Sequence, residues 1–212
     1  MEDFLQKISK APLCVIDRSI SYSRYCPISI SSDNKSLTFD VSSSSEWETY
    51  LENYLKVRTC DVAFGGYLEQ RDIYNRSKHF KNMSVNTQRN IHLGIDLWCT
   101  AKTDILAVLD GEVHSFKNNT NHGDYGPTLI LKHVVENVEF YSLYGHLSQK
   151  SIEDVAVGDQ VNRGQVIGTL GDASINGDYA PHLHFQLIID IQDYKGDYPG
   201  VASLSDIDFF KS

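Results

Sequence analysis

From about residue 90 to about residue 190 the chain is a succession of short apolar runs separated by glycine-marked turns, which favours β structure over long helices. The runs are Ile105–Leu109, Glu112–Phe116, Thr128–His133, Val138–Leu143, Gln165–Leu170 and His182–Ile189. Between them stand Asp110-Gly111, His122-Gly123-Asp124, Gly158-Asp159, Arg163-Gly164, Gly171-Asp172 and Asn176-Gly177. Many short strands joined by such turns predict a sandwich or barrel. The residues after Asp190, through Tyr194-Lys195-Gly196-Asp197-Tyr198-Pro199-Gly200, show no periodicity and are expected to lie over the surface.

Residues 1 to about 85 read differently, as a small mixed region. Ser45-Glu46-Trp47-Glu48 fits a capping box, with Ser45 as N-cap and Glu48 reaching back to it. Behind it Trp47, Tyr50, Leu51, Tyr54 and Leu55 recur at helical spacing, which predicts an amphipathic helix over about 46–57 whose aromatic stripe is core packing. Pro12 to Val41 shows short apolar runs among Ser, Asp and Asn, consistent with short strands or extended loops. The expected organisation is a mixed region over 1–85, a β domain over 86–192 and a tail over 193–212.

The charge balance removes whole classes of partner. The 212 residues carry 28 acids against 19 bases, a formal net charge of −9, and no basic run is visible. Non-specific nucleic-acid binding and attraction to anionic membranes both need an excess of Lys and Arg. Abundant aromatics (12 Tyr, 9 Phe, 2 Trp) argue for a folded chain rather than a disordered one. Cys14, Cys26, Cys60 and Cys99 never form a C-x-x-C pair, so free thiols are expected rather than a zinc ribbon or redox centre. The start, Met1 to Lys7, lacks the basic and apolar regions of a secretory signal, and no run approaches the roughly 18 apolar residues of a membrane span. As written, the chain is expected to be cytoplasmic.

The histidines carry the chemistry. Three pieces stand out: His92-Leu93-Gly94-Ile95-Asp96, Tyr144-Gly145-His146, and His182-Leu183-His184. On a strand, residues i and i+2 point the same way, about 6.6 Å apart. His182, His184 and Gln186 therefore share one face, while Leu183, Phe185, Leu187 and Ile189 share the core-facing one. His92 and Asp96 also share a face if their segment is extended, and Gly94 leaves room for a bend. Two imidazoles and a carboxylate with one open position form the ligand set of a catalytic zinc site. Cys99, three residues from Asp96, falls on the opposite face and is a poor fourth ligand. His79, His114, His122 and His133 show no such grouping, and His133 is expected to be an ordinary buried or surface histidine.

At these residues the sequence resembles the lysostaphin-type, LytM-like zinc endopeptidases, which cut peptide bridges in bacterial cell walls. The resemblance covers roughly residues 89 to 190. It includes His92-x-x-x-Asp96, Gly111-Glu112-Val113, Tyr144-Gly145-His146-Leu147, Val157-Gly158-Asp159-x-Val161-x-x-Gly164-Gln165-x-Ile167-Gly168, and Pro181-His182-Leu183-His184-Phe185. It implies a mainly β fold (α+β overall): a compact, mostly antiparallel β-sheet or barrel-sandwich hybrid peptidase domain, the duplicated hybrid motif. It implies Zn2+ bound by His92, Asp96 and His184. His146 and His182 would then flank the reacting water and the developing oxyanion as catalytic residues. The implied substrate is a peptide or peptidoglycan bridge or stem. Members of that family usually act outside the cytoplasm, and residues 1–85 match no part of the pattern.

Two other readings compete. A non-catalytic metal-binding or regulatory domain could retain the same fold. Val157–Val161 and Gly164–Gly168 also resemble the hairpins of biotinyl and lipoyl carriers, but no lysine for attachment lies between Gly164 and Asp190.

Overall fold

The computed structural model describes residues 12–73 and 87–211. The N-terminal residues through Ala11, His79 and the expected 85/86 boundary lie outside the described residues. In chain order the strands are β1 (Tyr25–Pro27), β2 (Val62–Gly65), β3 (Ile91–His92), β4 (Ile95–Trp98), β5 (Asp104–Leu106) and β6 (Gly111–Asn119). They continue with β7 (Gly126–Val135), β8 (Val138–Gly145), β9 (Gln160–Val161), β10 (Val166–Thr169), β11 (His182–Ile188) and β12 (Val201–Ala202). The α-helices are α1 (Ser44–Arg58) and α2 (Ile207–Lys211).

Eight strands form one sheet in the order β1-β2-β4-β11-β8-β7-β6-β9, while β10 pairs with β5 and β12 with β3. Every pairing is antiparallel except β1 with β2 at the sheet edge. The fold is mainly β, as the run of short apolar segments predicts. Strand alternation places the core: Leu97 and Cys99, Leu129 and Leu131, Tyr144 and Leu183 pack together with Ile105, Ala107, Leu147 and Leu170. Asp96 and Trp98, His182 and His184 consequently face the other way. No helix among the described residues is long and apolar enough to cross a membrane.

The segment before residue 74 is woven into this sheet through β1 and β2. Helix α1 packs Trp47 and Leu51 against Cys26, Ile28, Ala63, Trp98 and Ala180, so the aromatic stripe is core. Its N-cap is not Ser45 but Ser43, whose hydroxyl accepts from Glu46 N at 3.3 Å. Four adjacent serines, Ser42 to Ser45, offer similar caps. The choice between them is made upstream, where Asp40 turns the chain by accepting from Ser42 N and Ser43 N. Glu46, not Glu48, stands at the third helical position, and its carboxylate accepts from Asp40 N at 2.9 Å. The C-terminal segment also departs from expectation. It pairs with β3, Val201 opposite His92, and buries Tyr198, Ala202 and Ser203. All four cysteines are free thiols.

His133 is buried on the core side, its Nδ1 donating to the Asp110 carbonyl and its Nε2 accepting from Ser142 Oγ at 2.6 Å. Burial pushes its pKa below the ordinary 6.5. The unfolded chain therefore takes up the proton more readily, so this contribution to stability is complete above about pH 6.5 and is lost as the pH falls below it. Thermal unfolding of the metal-free protein between pH 8 and 5 should show a midpoint that declines below that value; a flat profile would contradict it. Leu183, fully buried between two histidines that face the other way, should cost about 2–5 kcal/mol when cut to Ala, read by denaturant unfolding. Metal content of the folded Leu183→Ala protein should be unchanged.

Candidate metal centre and cleft

Antiparallel register brings the site residues into line. In the central sheet His184 of β11 stands opposite Asp96 of β4 on one side and Gly145 of β8 on the other. His182 stands opposite Trp98 and stacks on it, ring centroids 5.7 Å apart. His92 is not on the same strand as Asp96. The chain breaks at Leu93-Gly94, so that β3 leaves the large sheet to pair with β12. Gly94 is required there: a Cβ would meet the His184 ring at 2.6 Å and Phe185 O at 2.8 Å. The bend folds the His92 ring back over the Asp96–His184 row.

Three donor atoms converge as a result. His92 Nε2 lies 2.8 Å from His184 Nδ1 and 3.2 Å from Asp96 Oδ1, and His184 Nδ1 lies 3.2 Å from the same oxygen. All three residues are buried, at 2%, 1% and 3% exposure for His92, Asp96 and His184. The other nitrogen of each ring is committed. His92 Nδ1 donates to the Gly66 carbonyl at 2.9 Å. His184 Nε2 donates to Gln186 Oε1 at 3.1 Å, and Gln186 is oriented by its own Nε2 donating to Pro199 O. Burial and the neighbouring Arg71 guanidinium push His92 down to about 4, so its ring is neutral near pH 7. Burial works against ionising Asp96, but His92 and Arg71 outweigh it and hold the carboxyl well below the usual carboxylate range.

Two ring nitrogens and a carboxylate oxygen thus face one point, an arrangement suited to enclosing a cation. Tetrahedral bonds of about 2.0–2.1 Å to zinc would set donors about 3.3 Å apart, close to the spacing here. The residues present fit a divalent metal ion. Among the described residues this is the one group of three or more such side chains whose donors all lie within 4.8 Å of one another.

His146 and His182 flank this point. His146 follows directly on β8 in a left-handed conformation (φ 62°), uncommon for a residue with a side chain. It is held by its Nδ1 donating to Asn176 O at 2.8 Å and by its backbone N–H donating to Tyr125 O at 2.9 Å. His182 Nδ1 donates to Ala180 O at 2.8 Å, which leaves its Nε2 3.8 Å from Asp96 Oδ1. The two rings lie with centroids 4.2 Å apart. Burial lowers both pKa values, and for His146 the adjacent His182 adds to the effect.

These residues lie in a cavity of about 530 Å³. Its walls include Ile30, Trp47, Arg71 and Ile73 from the segment before residue 74, Tyr125 and Tyr179 from two loops, and Tyr194 with Asp197 to Val201 from the C-terminal segment. Arg71, the Gly66 carbonyl and the C-terminal wall carry no sequence signal, because their partners are 20 to more than 100 positions away. Of the ungrouped histidines, His122 lies on the cleft wall 3.8 Å from Asp178, His114 bonds its neighbour Ser115, and neither joins the donor set.

Comparison with known proteins bears on the same stretch. The chain is 32% identical over 97 residues to Endolysin 2638A of Staphylococcus phage 2638A, a match covering 45% of this chain and 18% of the endolysin. It is 30% identical over 106 residues to Peptidoglycan DD-endopeptidase ShyC of Vibrio cholerae (50% and 22% covered). It is 29% identical over 116 residues to Lysostaphin of Staphylococcus staphylolyticus (55% and 22% covered). The chain thus matches only about a fifth of the length of these relatives. The solved catalytic domain of lysostaphin from Staphylococcus simulans aligns with a TM-score of 0.39 and 27% identity, over 58% of this chain and 81% of that domain. The profile of Peptidase family M23 matches residues 90–195, which span β3 to β11 and contain every histidine of the centre together with Asp96. With half its length matched by that profile, the chain belongs to peptidase family M23, the family of the lysostaphin- and LytM-like peptidoglycan endopeptidases.

Proposed function

We propose that the chain is a zinc-dependent endopeptidase that hydrolyses short peptide segments of peptidoglycan, in cross-bridges or stems. The observation that supports this most directly is the convergence of three donor atoms, His92 Nε2, Asp96 Oδ1 and His184 Nδ1, in an open cleft. Two imidazoles and one carboxylate with an open direction are a donor set suited to catalytic zinc. Relatives named as a peptidoglycan DD-endopeptidase and a glycyl-glycine endopeptidase support the substrate class. Zinc held there supplies Lewis acidity, lowering the pKa of water towards neutrality and polarising a peptide carbonyl.

The remaining work falls to the chain's own groups. His146 and His182 each have Nδ1 committed to a backbone carbonyl, so each presents Nε2 as a lone pair to the cleft. Their lowered pKa values keep both rings neutral at the start. One ring takes the proton of the attacking water on Nε2, so that this ring, now protonated, hydrogen-bonds the developing oxyanion before passing the proton to the leaving nitrogen. The neutral Nε2 of the other accepts a hydrogen bond from the same water and orients it. The Trp98 stack and the left-handed backbone at His146 fix the ring orientations, so little reorganisation is needed as charge develops.

Three outcomes are expected. Mass spectrometry of muropeptides and Gly/Ala-rich peptides after incubation should reveal a new product mass that chelation removes and zinc restores; silence from zinc-loaded protein across the panel would favour the non-catalytic, metal-binding reading. Substituting His92, Asp96 or His184 by Ala should strip the metal, measured by elemental analysis of the folded protein, and retained metal would reassign that residue. His146→Ala or His182→Ala should leave zinc bound while turnover falls by about 10²–10⁴-fold; metal loss in either would move it into the ligand set.

A further inference from the structure

A side chain from outside the matched family segment reaches into the donor set. Arg71 is 3% exposed, and its Nη1 donates to Asp96 Oδ2 at 2.5 Å. Asp96 Oδ1 is the oxygen that faces His92 and His184. The two oxygens of one carboxylate are therefore divided, one for the guanidinium and one for the donor cluster. Arg71 Nε donates in turn to Glu69 Oε2 at 2.8 Å. Glu69 Oε1 accepts from Ser29 Oγ at 2.7 Å and Ile30 N at 2.9 Å. A continuous chain of charge-assisted bonds runs from the backbone at Ile30 through Glu69 and Arg71 to Asp96.

The segment holding this chain is also tied to the strand that carries His92. Leu68 N donates to His92 O at 2.8 Å, His92 N to Glu69 O at 2.9 Å, and Arg71 N to Asn90 O at 2.9 Å. Gly66 (φ 100°) offers its carbonyl to His92 Nδ1, and a Cβ there would overlap the Arg71 guanidinium. The position of Arg71 relative to the cluster is set by these backbone bonds rather than by a flexible side chain.

We infer that Arg71, anchored by Glu69, is a positioning residue for Asp96, engaging Oδ2 so that Oδ1 alone is offered to a cation. The inference rests on His92, Asp96 and His184 being the metal ligands. A carboxylate with both oxygens free can chelate a cation through both, which would consume the direction that substrate needs. The planar guanidinium fork suits this task because it bonds two carboxylates at a fixed angle, which a lysine ammonium on a flexible stem does not. Glu69 answers the electrostatic objection. A lone buried cation beside a metal site would repel the metal, but Glu69, Arg71 and Asp96 together carry one net negative charge, that of a single carboxylate.

The test uses the 212-residue chain loaded with Co2+, whose visible absorption is intense in four-coordinate sites and weaker when coordination expands. Arg71→Met, Arg71→Lys and Glu69→Gln are compared with wild type, with folding checked by circular dichroism. The folded Arg71 variants should lose intensity in the cobalt band, Met more than Lys, and Glu69→Gln should change in the same direction. In the zinc-loaded proteins kcat should fall by about 10–100-fold with KM unchanged. If Arg71→Met fails to fold, Arg71→Lys and Glu69→Gln decide. A wild-type band in every folded variant would overturn the positioning role. His92→Ala separates the two readings: loss of its band with unaltered Arg71 variants removes only this inference, whereas a wild-type band in His92→Ala removes the ligand assignment itself.

Discussion

Everything in this structure is organised around the crowding of three donor atoms at one buried point. His92 Nε2, Asp96 Oδ1 and His184 Nδ1 approach within 3.2 Å of one another. Such an arrangement persists only if each ring is fixed by its other nitrogen and each backbone by its neighbours. The fold meets that demand with acceptors drawn from remote parts of the chain: the Gly66 carbonyl behind His92, and Gln186, itself held by Pro199, behind His184. These outer contacts set tautomer and orientation, which for a metal site matters as much as the identity of the ligands.

The buried charges follow the same logic. Arg71 and Asp96 are almost fully enclosed, and removing one partner of such a pair typically costs about 3–5 kcal/mol because it strands the other. A hydrophobic replacement for the pair would serve stability equally well, so its presence points to the donor set rather than to folding alone. The residues before position 74 are in this respect part of the centre. They add β1 and β2 to the sheet, supply Trp47 and Ile30 to the cleft wall, and carry Gly66, Glu69 and Arg71 to the strand that bears His92.

Much of the architecture was legible in the chain because period-two alternation and glycine turns are local signals. The strands β6, β7, β8, β10 and β11 fall within or close to the apolar runs that predict them, and Leu183 faces the core while its histidine neighbours face away; Leu187 and Ile189, expected on the core face, are instead exposed, and Ile188 on the histidine face is buried in a second cluster with Ile130 and Leu143. Local signals also have local limits. Four adjacent serines made the helix cap ambiguous by two positions, and a turn at Asp40 decided it. The two-residue strands β3, β9 and β12 are too short to show a period, and the C-terminal segment looked like surface cover because its partner, β3, lies more than 100 positions earlier.

What the sequence determined by itself was the donor inventory and its phase. His182 and His184 share a strand face, Asp96 lies on the face opposite Cys99, and Gly94 permits a bend, all from covalent spacing and the pleat. Only the tertiary structure decided that His92 sits on a separate ribbon folded over that face, and that Arg71 divides the Asp96 carboxylate. It also decided which nitrogen of each ring is free. Those outcomes depend on carbonyls and charges brought together by sheet register and loop closure, and no local pattern of residues encodes a contact between partners so far apart in the chain.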